Sequence, residues 1–192
     1  MVGWVGMLRY LLALLAVLVG CPGEPDGPSI VLEDFTPPDV AEPRETWKHK
    51  ASGVLFTTPG SGWTRLEEGE LAALGPDVVL GVREGTRCTG WAASRAADGD
   101  GARAAADRGR QALSWEGLAV HVDEDVKYDL WTARRYEVQG RVDGRTSAER
   151  GTYWIADGRL YAVVARTNDR DYTSRRRCLD RVTAGFSLGM PE

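Results

Sequence analysis

The fold is decided by the stretch Gly151-Thr152-Tyr153-Trp154-Ile155-Ala156-Asp157-Gly158-Arg159-Leu160-Tyr161. Aromatic and β-branched residues, which pack well on a pleated sheet, stand on both sides of Asp157-Gly158. Asp-Gly is a favoured two-residue hairpin turn, because glycine, and less readily aspartate, adopts positive φ. The stretch therefore predicts two antiparallel strands joined by a tight turn.

Turn chemistry recurs on the amino-terminal side of this hairpin. Asp143-Gly144 is a second turn of the same kind, and the acidic triplet Asp123-Glu124-Asp125 indicates a third bend. The sequence thus predicts a meander with strands near 118–123, 128–139, 146–156 and 159–167. In the strand at 128–139 alternation predicts two faces, one with Tyr128, Leu130, Thr132, Arg134, Tyr136 and Val138, the other with Trp131 and Ala133.

Two segments have helical spacing. After Asp98-Gly99-Asp100-Gly101, small residues recur at helical intervals and predict a helix that lies close to a sheet: Ala102, Ala105, Ala106, Gly109, Ala112 and Leu113. Near the carboxyl end, Leu179, Val182 and Phe186 are spaced by three and four and predict a closing helix. Cys178, four residues before Val182, borders the buried face of this helix.

The first half of the folded region is predicted to contain short strands. Gly53 to Thr58 and Trp63 to Glu67 flank Pro59-Gly60-Ser61-Gly62, which predicts a hairpin. Further strands are predicted at 78–83 and 86–94, whereas 69–74 fits either a strand or a helical turn. Together these elements predict one α/β (α+β) domain, a mostly antiparallel sheet with helices packed on it.

Three stretches carry a family resemblance: Pro59 to Trp63, Gly151 to Tyr161, and Cys178 to Leu188 with its final Phe-Ser-Leu. Their order, with the helix and the meander between them, resembles the Mog1/PsbP-like α/β/α sandwich over most of residues 50–188. This fold occurs in several small bacterial lipoproteins, including DcrB-like ones. The resemblance implies a non-enzymatic binding or assembly module. It carries no functional residue across, since the family shares a fold more than a site.

The amino terminus resembles a bacterial lipoprotein signal. Arg9 precedes an apolar run, and Leu18-Val19-Gly20-Cys21 matches a lipobox. We expect residues 1–20 to be a signal peptide and Cys21 to carry diacylglycerol and a further acyl chain such as palmitate. One alternative is an uncleaved anchor, but Tyr10 to Gly20 is shorter than the roughly 20 residues of a membrane span. The other is ordinary secretion with cleavage elsewhere.

Location follows from that signal. We expect a protein of the bacterial cell envelope, anchored by lipid on the exported, periplasmic side. Pro22 stands where aspartate would resemble an inner-membrane retention signal, which favours the outer membrane over the inner.

A tether separates the lipidated cysteine from the domain. Residues 21–46 contain six prolines, which favour an extended, semi-rigid spacer: Pro22, Pro25, Pro28, Pro37, Pro38 and Pro43. The short apolar segment Ile30-Val31-Leu32 could instead pack onto the domain or a partner. We expect residues 47–190 to form a single globular α/β domain.

Cys88 and Cys178 are the pair that remains once Cys21 is assigned to lipid. In an exported, oxidising compartment such a pair is expected to form a disulfide, and two separate buried thiols are the alternative. A bond closing a loop of about 90 residues stabilises a fold by roughly 4 to 5 kcal/mol in the chain-entropy model.

Residues for catalysis, metal or cofactor binding are not predicted. His49 and His121 lie far apart in sequence, and Asp98-Gly99-Asp100-Gly101 is followed by Ala102 and Gly109 where a calcium loop needs oxygen ligands. Neither Gly-x-Ser-x-Gly nor a phosphate-binding loop motif occurs. A net charge of −4, with both signs interspersed, gives no indication of nucleic-acid binding.

The predicted function is therefore binding rather than catalysis. We expect attachment to the membrane through the lipid anchor and a protein partner in the envelope, with a small-molecule ligand as a further option. Trp115, Trp131 and Arg134 are the candidate partner surface, because aromatic residues and arginine recur at interface hot spots. The alternative is an envelope enzyme, hydrolase-like, whose active site the sequence does not identify.

Overall fold

The structure is a computed structural model that describes residues 44–99, 101–128 and 131–189. The predicted signal peptide, Cys21 and the tether as far as residue 43 lie outside these ranges. The described elements, in chain order, are β1 (Thr46–His49), β2 (Val54–Thr57), β3 (Trp63–Arg65), α1 (Glu68–Leu74), β4 (Val78–Glu84), β5 (Cys88–Ala96), α2 (Ala102–Gln111), β6 (Glu116–Lys127), β7 (Thr132–Val142), β8 (Arg145–Ala156), β9 (Arg159–Thr167), α3 (Tyr172–Gly185) and β10 (Phe186–Leu188).

Two antiparallel sheets carry the fold. The larger sheet has the strand order β3-β4-β5-β9-β8-β7-β6, and the smaller has the order β1-β2-β10. Strands β6 to β9 form the predicted meander. Its Asp-Gly turns have positive φ at both residues, 50° and 73° at Asp143-Gly144, and 50° and 71° at Asp157-Gly158. The predicted fold class, a mostly antiparallel sheet with packed helices, is confirmed.

The predicted hairpin between Gly53–Thr58 and Trp63–Glu67 is wrong. β2 pairs with β1 and β10, whereas β3 pairs with β4. The Pro59-to-Gly62 link carries the chain from the smaller sheet to the larger, so each strand finds its partner elsewhere.

The predicted bend at the acidic triplet is also wrong. β6 runs through it without a break, from Glu116 to Lys127. Successive carboxylates project to opposite faces of the sheet, and arginines on β7 form ion pairs with them. The pairs are Asp123 and Asp125 with Arg134, and Glu124 with Arg135.

The segment at 69–74, open from sequence, is helical and forms most of α1. A capping box starts this helix, in which Glu70 Oε2 accepts a hydrogen bond from the backbone N–H of Glu67 at 2.9 Å.

Both faces of the larger sheet are covered. α2 packs on one face, where Ala105 and Ala106 lie against Tyr136 and Tyr153. A Cβ at Gly109 of α2 would stand 2.2 Å from the Tyr153 hydroxyl, so this close approach needs glycine. The other face is covered by α3 and the smaller sheet, with a core that includes Phe56, Leu80, Val82, Val163, Leu179 and Val182. The layers form the α/β/α arrangement that the resemblance implied.

A disulfide joins the two halves of the domain. Cys88, at the start of β5, is bonded to Cys178 in α3, with a Cα–Cα distance of 5.7 Å. The predicted pairing is confirmed, and it attaches the closing helix to a central strand. None of the helices in the described part of the chain is long and apolar enough to cross a bilayer.

Candidate binding groove along the free edge of the sheet

β6 forms one edge of the larger sheet. Its inner side pairs with β7, and no strand of the described residues pairs with its outer side. The pairing register shifts between Glu116 and Ala119 and again between Val120 and Val122. Such irregularities commonly protect an edge strand from uncontrolled association. The exposed outer side nevertheless leaves backbone N–H and C=O groups available over a long strand.

The two halves of β6 differ in charge. From Asp123 onward the strand is acidic, and its carboxylates are already held by arginines. Arg134 Nη2 lies 2.5 Å from Asp123 and its Nη1 lies 3.3 Å from Asp125, while Arg103 and Arg110 contact the same two acids. The first half, Leu118 to Val122, is apolar apart from His121, and Val120 is 47% exposed. Only the first half thus presents an edge without acidic side chains.

Two adjoining clefts run beside this first half, on the face that carries α3. Their volumes are about 370 Å³ and 380 Å³, and His121 and Gln139 line both. We call the combined feature the edge groove. Its α3 side is formed by Tyr172, Arg175, Arg176 and Leu179, and its β6–β7 side includes Gly117, Ala119, His121, Gln139 and Arg141.

Positive charge prevails in the edge groove. Arg141, Arg150, Arg175 and Arg176 line it, against Glu116 and Glu137. Arg150 is buried and neutralised, since it contacts Glu137 at 2.6 Å and Asp180 at 2.7 Å. Arg175 donates to Gln139 Oε1 at 2.8 Å but forms no ion pair with any described residue. The groove therefore combines an apolar floor with the Arg175 guanidinium, which lies over the Tyr172 ring and interacts with Asp171 only at longer range.

The closest approach to catalytic chemistry is a buried cluster on the α2 face. Glu149, 2% exposed, accepts hydrogen bonds from the Tyr136 hydroxyl at 2.8 Å and from Arg166 Nε at 2.7 Å. Burial, with the charge of Glu149, raises the pKa of Tyr136 far above its usual value, so this hydroxyl remains a neutral donor. The Arg166 guanidinium also stands 5.0 Å from the Trp91 ring and 5.5 Å from the Trp115 ring. Both oxygens of Glu149 are engaged, and the arrangement joins β7, β8 and β9.

The candidate surface residues are not brought together. Trp131 lies on the α3 face, stacked on Trp154 at 5.1 Å. Arg134 and Trp115 lie on the opposite, α2 face, where Arg134 is held by its two aspartates and Trp115 packs beside Gly140. The three residues therefore occupy separate environments, and Cys21 lies outside the described residues.

His49 and His121 are likewise far from a shared site. His49 Nδ1 is 2.8 Å from the Ser52 hydroxyl, whereas His121 lines the edge groove. Within the described ranges, no three His, Cys, Asp or Glu side chains are grouped to hold a metal ion.

The sequence alone does not reveal the edge groove. One available signal was the contrast within 116–127 between an apolar half with Gly117 and an acidic half. On its α3 side the sequence offers only the arginine run at 175–177, a pattern that is more typical of a solvated helix face than of an anion-binding site. Knowing that β6 is an edge requires the strand order, which local sequence does not contain.

The comparisons with known proteins concern the fold. No protein-family model matches the chain, and no curated protein matches its sequence. The solution structure of cyanobacterial PsbP (CyanoP) from Synechocystis sp. PCC 6803 matches with a TM-score of 0.59 and 12% identity, covering 90% of this chain and 99% of that one. LpqN of Mycobacterium tuberculosis, described as involved in cell envelope biogenesis, matches with a TM-score of 0.53 and 12% identity, covering 85% and 100%. The chain therefore has a PsbP-like α/β fold.

Proposed function

We propose that this chain is a lipid-anchored envelope protein whose domain binds a partner protein, without catalysis, by adding a strand of the partner to β6. The observation that carries the proposal is the exposed, apolar first half of β6 beside the edge groove. Strand addition uses backbone hydrogen bonds for affinity and pockets for alternate side chains for specificity. The free edge of β6 offers the backbone hydrogen bonds, and the edge groove offers pockets for the side chains.

The occupant of this site is an extended segment with acidic side chains. A strand paired with Leu118–Val122 would direct every second side chain toward the groove on the α3 face. A carboxylate there could pair with Arg175, which forms no close salt bridge with a described residue, and with the exposed Arg141. Tyr172, 64% exposed, offers an aromatic surface for an apolar neighbour in the same segment.

The second half of β6 limits where such a segment binds. Asp123, Glu124 and Asp125 would oppose an acidic strand directly, and like charges at paired positions are destabilising. The register is thus restricted to Leu118–Val122, a length of about one short strand.

The anchoring part of the proposal rests on Cys21 and the proline-rich tether. An acylated Cys21 would hold the domain at the membrane, outer rather than inner, with the proline-rich segment between Cys21 and β1 as a spacer. Cys21→Ser should release the processed protein from the membrane fraction, and unchanged fractionation would contradict the lipid anchor. The rival function is a hydrolase-like enzyme. Among the described residues its candidate site is the Glu149 cluster, where one carboxylate oxygen accepts from Tyr136 and the other from Arg166.

The binding proposal can be tested with defined peptides and the full chain in neutral detergent. The probes are an acidic alternating peptide, acetyl-Glu-Val-Glu-Val-Glu-Val-amide, and its lysine counterpart. We expect the acidic peptide to bind more tightly, and Arg175→Glu to weaken it by about fivefold or more, corresponding to about 1 kcal/mol for one charge pair.

A matched control separates this site from general charge. Arg65→Glu changes an exposed arginine on β3, at the other edge of the sheet, and should leave the peptide affinity unchanged. Equal affinity for the two peptides, or equal losses in Arg175→Glu and Arg65→Glu, would contradict the proposal.

A further inference from the structure

A separate cleft of about 510 Å³ lies at one end of the larger sheet, apart from the residues of the edge groove. It is lined by Thr86, Arg87, Arg145, Asn168 and Arg170. These residues come from the β4–β5 loop, the first position of β8 and the β9–α3 loop. Three chain segments that are distant in sequence thus direct arginines into one cleft.

The positive charge of this cleft is largely uncompensated. Arg87 reaches Asp169 at 3.4 Å, with its side chain 69% exposed. Arg145 and Arg170 are exposed, and their side chains form no hydrogen bond or ion pair with any other described residue. Of the nearby acids along the chain, Asp171 is engaged as the N-cap of α3, and Asp143 occupies the preceding turn of β8. Two guanidinium groups therefore share the cleft without an acidic partner.

The cleft is also held in shape by covalent and backbone links. The Asn168 backbone N–H donates to the Arg87 carbonyl at 3.1 Å, which joins two of its loops. Asp169 N donates to the Thr167 hydroxyl at 3.2 Å, and the Cys88–Cys178 disulfide ties the strand after Arg87 to α3. A preorganised set of donors loses less entropy when it binds a ligand.

We propose that this cleft binds a phosphate group, carried either by free phosphate or by a lipid headgroup. The planar guanidinium fork matches phosphate oxygens in a bidentate manner, and Thr86 and Asn168 add hydroxyl and amide donors. Inorganic phosphate carries up to two negative charges near neutral pH, which matches two unpaired guanidinium groups. A phosphodiester headgroup carries one charge, as acetate does, but its ester oxygens and tetrahedral phosphorus offer acceptors in more directions than a planar carboxylate does.

The experiment is isothermal titration calorimetry of the full, oxidised chain in neutral detergent. Inorganic phosphate represents the free anion, sn-glycero-3-phosphoglycerol represents a phospholipid headgroup, and acetate is the control anion. We expect saturable binding of one or both phosphate probes, weakened by salt, and little binding of acetate. The tighter of the two phosphate probes identifies the source.

Variants connect that binding to the cleft. Arg145→Gln with Arg170→Gln should weaken phosphate binding by about tenfold or more, because hydrogen bonds to charged groups are strong. Arg145→Lys with Arg170→Lys keeps both positive charges but removes the planar guanidinium groups. Its phosphate affinity should lie between that of the glutamine double variant and that of the wild type. Arg65→Gln, outside the cleft, should bind as the wild type does.

Near-ultraviolet circular dichroism and mapping of the Cys88–Cys178 bond verify that each variant is folded, and the single substitutions replace the double one if it is not. Absence of saturable binding by both phosphate probes would overturn the proposal. Acetate binding as tight as phosphate binding, or an equal loss in Arg65→Gln, would overturn it as well.

Discussion

Breaking the ion pair between Arg166 and Glu149 from the arginine side should cost far more stability than breaking an exposed pair of the same length. Arg166 Nη2 lies 2.5 Å from Glu149 Oε2, and Glu149 is 2% exposed. Arg166→Met keeps the aliphatic stem and removes the cation, which leaves a buried carboxylate with only the Tyr136 hydroxyl as donor. Breaking a buried pair from one side costs roughly 3 to 5 kcal/mol. Since the Arg166 side chain is 39% exposed, we expect Arg166→Met to lower the free energy of unfolding by about 3 kcal/mol, the lower end of this range.

The matched control is Arg83→Met, which breaks the pair between Arg83 and Glu70. Those atoms are 2.6 Å apart, but the side chains are 46% and 39% exposed, so the loss should be below about 1 kcal/mol. Adding Glu149→Gln to Arg166→Met removes the stranded charge and keeps an acceptor for Tyr136, and the double variant should be more stable than Arg166→Met alone.

Urea unfolding of each variant, with the slope of free energy against urea checked for constancy, gives these differences. A loss in Arg166→Met no larger than that in Arg83→Met would refute the reasoning that burial of Glu149 sets the energy of the pair.

Three further predictions concern stability. Cys88→Ser with Cys178→Ser should lower the free energy of unfolding by about 4 kcal/mol, since the bond closes a loop spanning 90 positions; a melting temperature within about 3 °C of the wild type would contradict this. Gly90→Ala would place a Cβ 2.3 Å from Val182 Cγ1 and should lower the free energy of unfolding by about 1 to 3 kcal/mol. Gly69→Ala, in an open position of α1, should raise it by about 0.5 to 1 kcal/mol. Burial raises the pKa of both Tyr136 and Tyr153, so the native state favours their neutral forms. The stability that these two neutral tyrosines contribute is thus present below the usual tyrosine pKa of about 10 and is lost as the pH rises above it. Tyr136→Phe should reduce that loss in unfolding curves measured from pH 9 to 12.

Local chemistry predicted the strands of the meander and the helices α2 and α3, while α1 was left open between strand and helix. Asp143-Gly144 and Asp157-Gly158 define their hairpins within a few residues, because positive φ is a property of the turn itself. Pro59-Gly60-Ser61-Gly62 has the same turn composition but links two sheets, since the partners of β2 are β1 and the distant β10. Pairing across such a sequence distance cannot be read from the residues of the turn.

The candidate site was less predictable than the fold. The acidic triplet lies in a strand because Arg134 and Arg135 on β7 offset it, and that register emerges only when β6 and β7 are paired. Strand alternation already placed Trp131 and Arg134 on opposite faces, as the structure has them, so the two residues cannot belong to one surface. The disulfide was predictable because only two cysteines remain when Cys21 is assigned to lipid and an oxidising compartment is expected. The edge groove, by contrast, depends on strand order and on where α3 packs.

Strand addition at β6 is tested most directly by amide hydrogen exchange, measured by nuclear magnetic resonance on the full chain with and without the acidic peptide. The account predicts that the peptide slows exchange at the amides of Leu118–Val122 that point away from β7, with little change at Asp123–Lys127. Saturating peptide that leaves the exchange of Leu118–Val122 unchanged would contradict it.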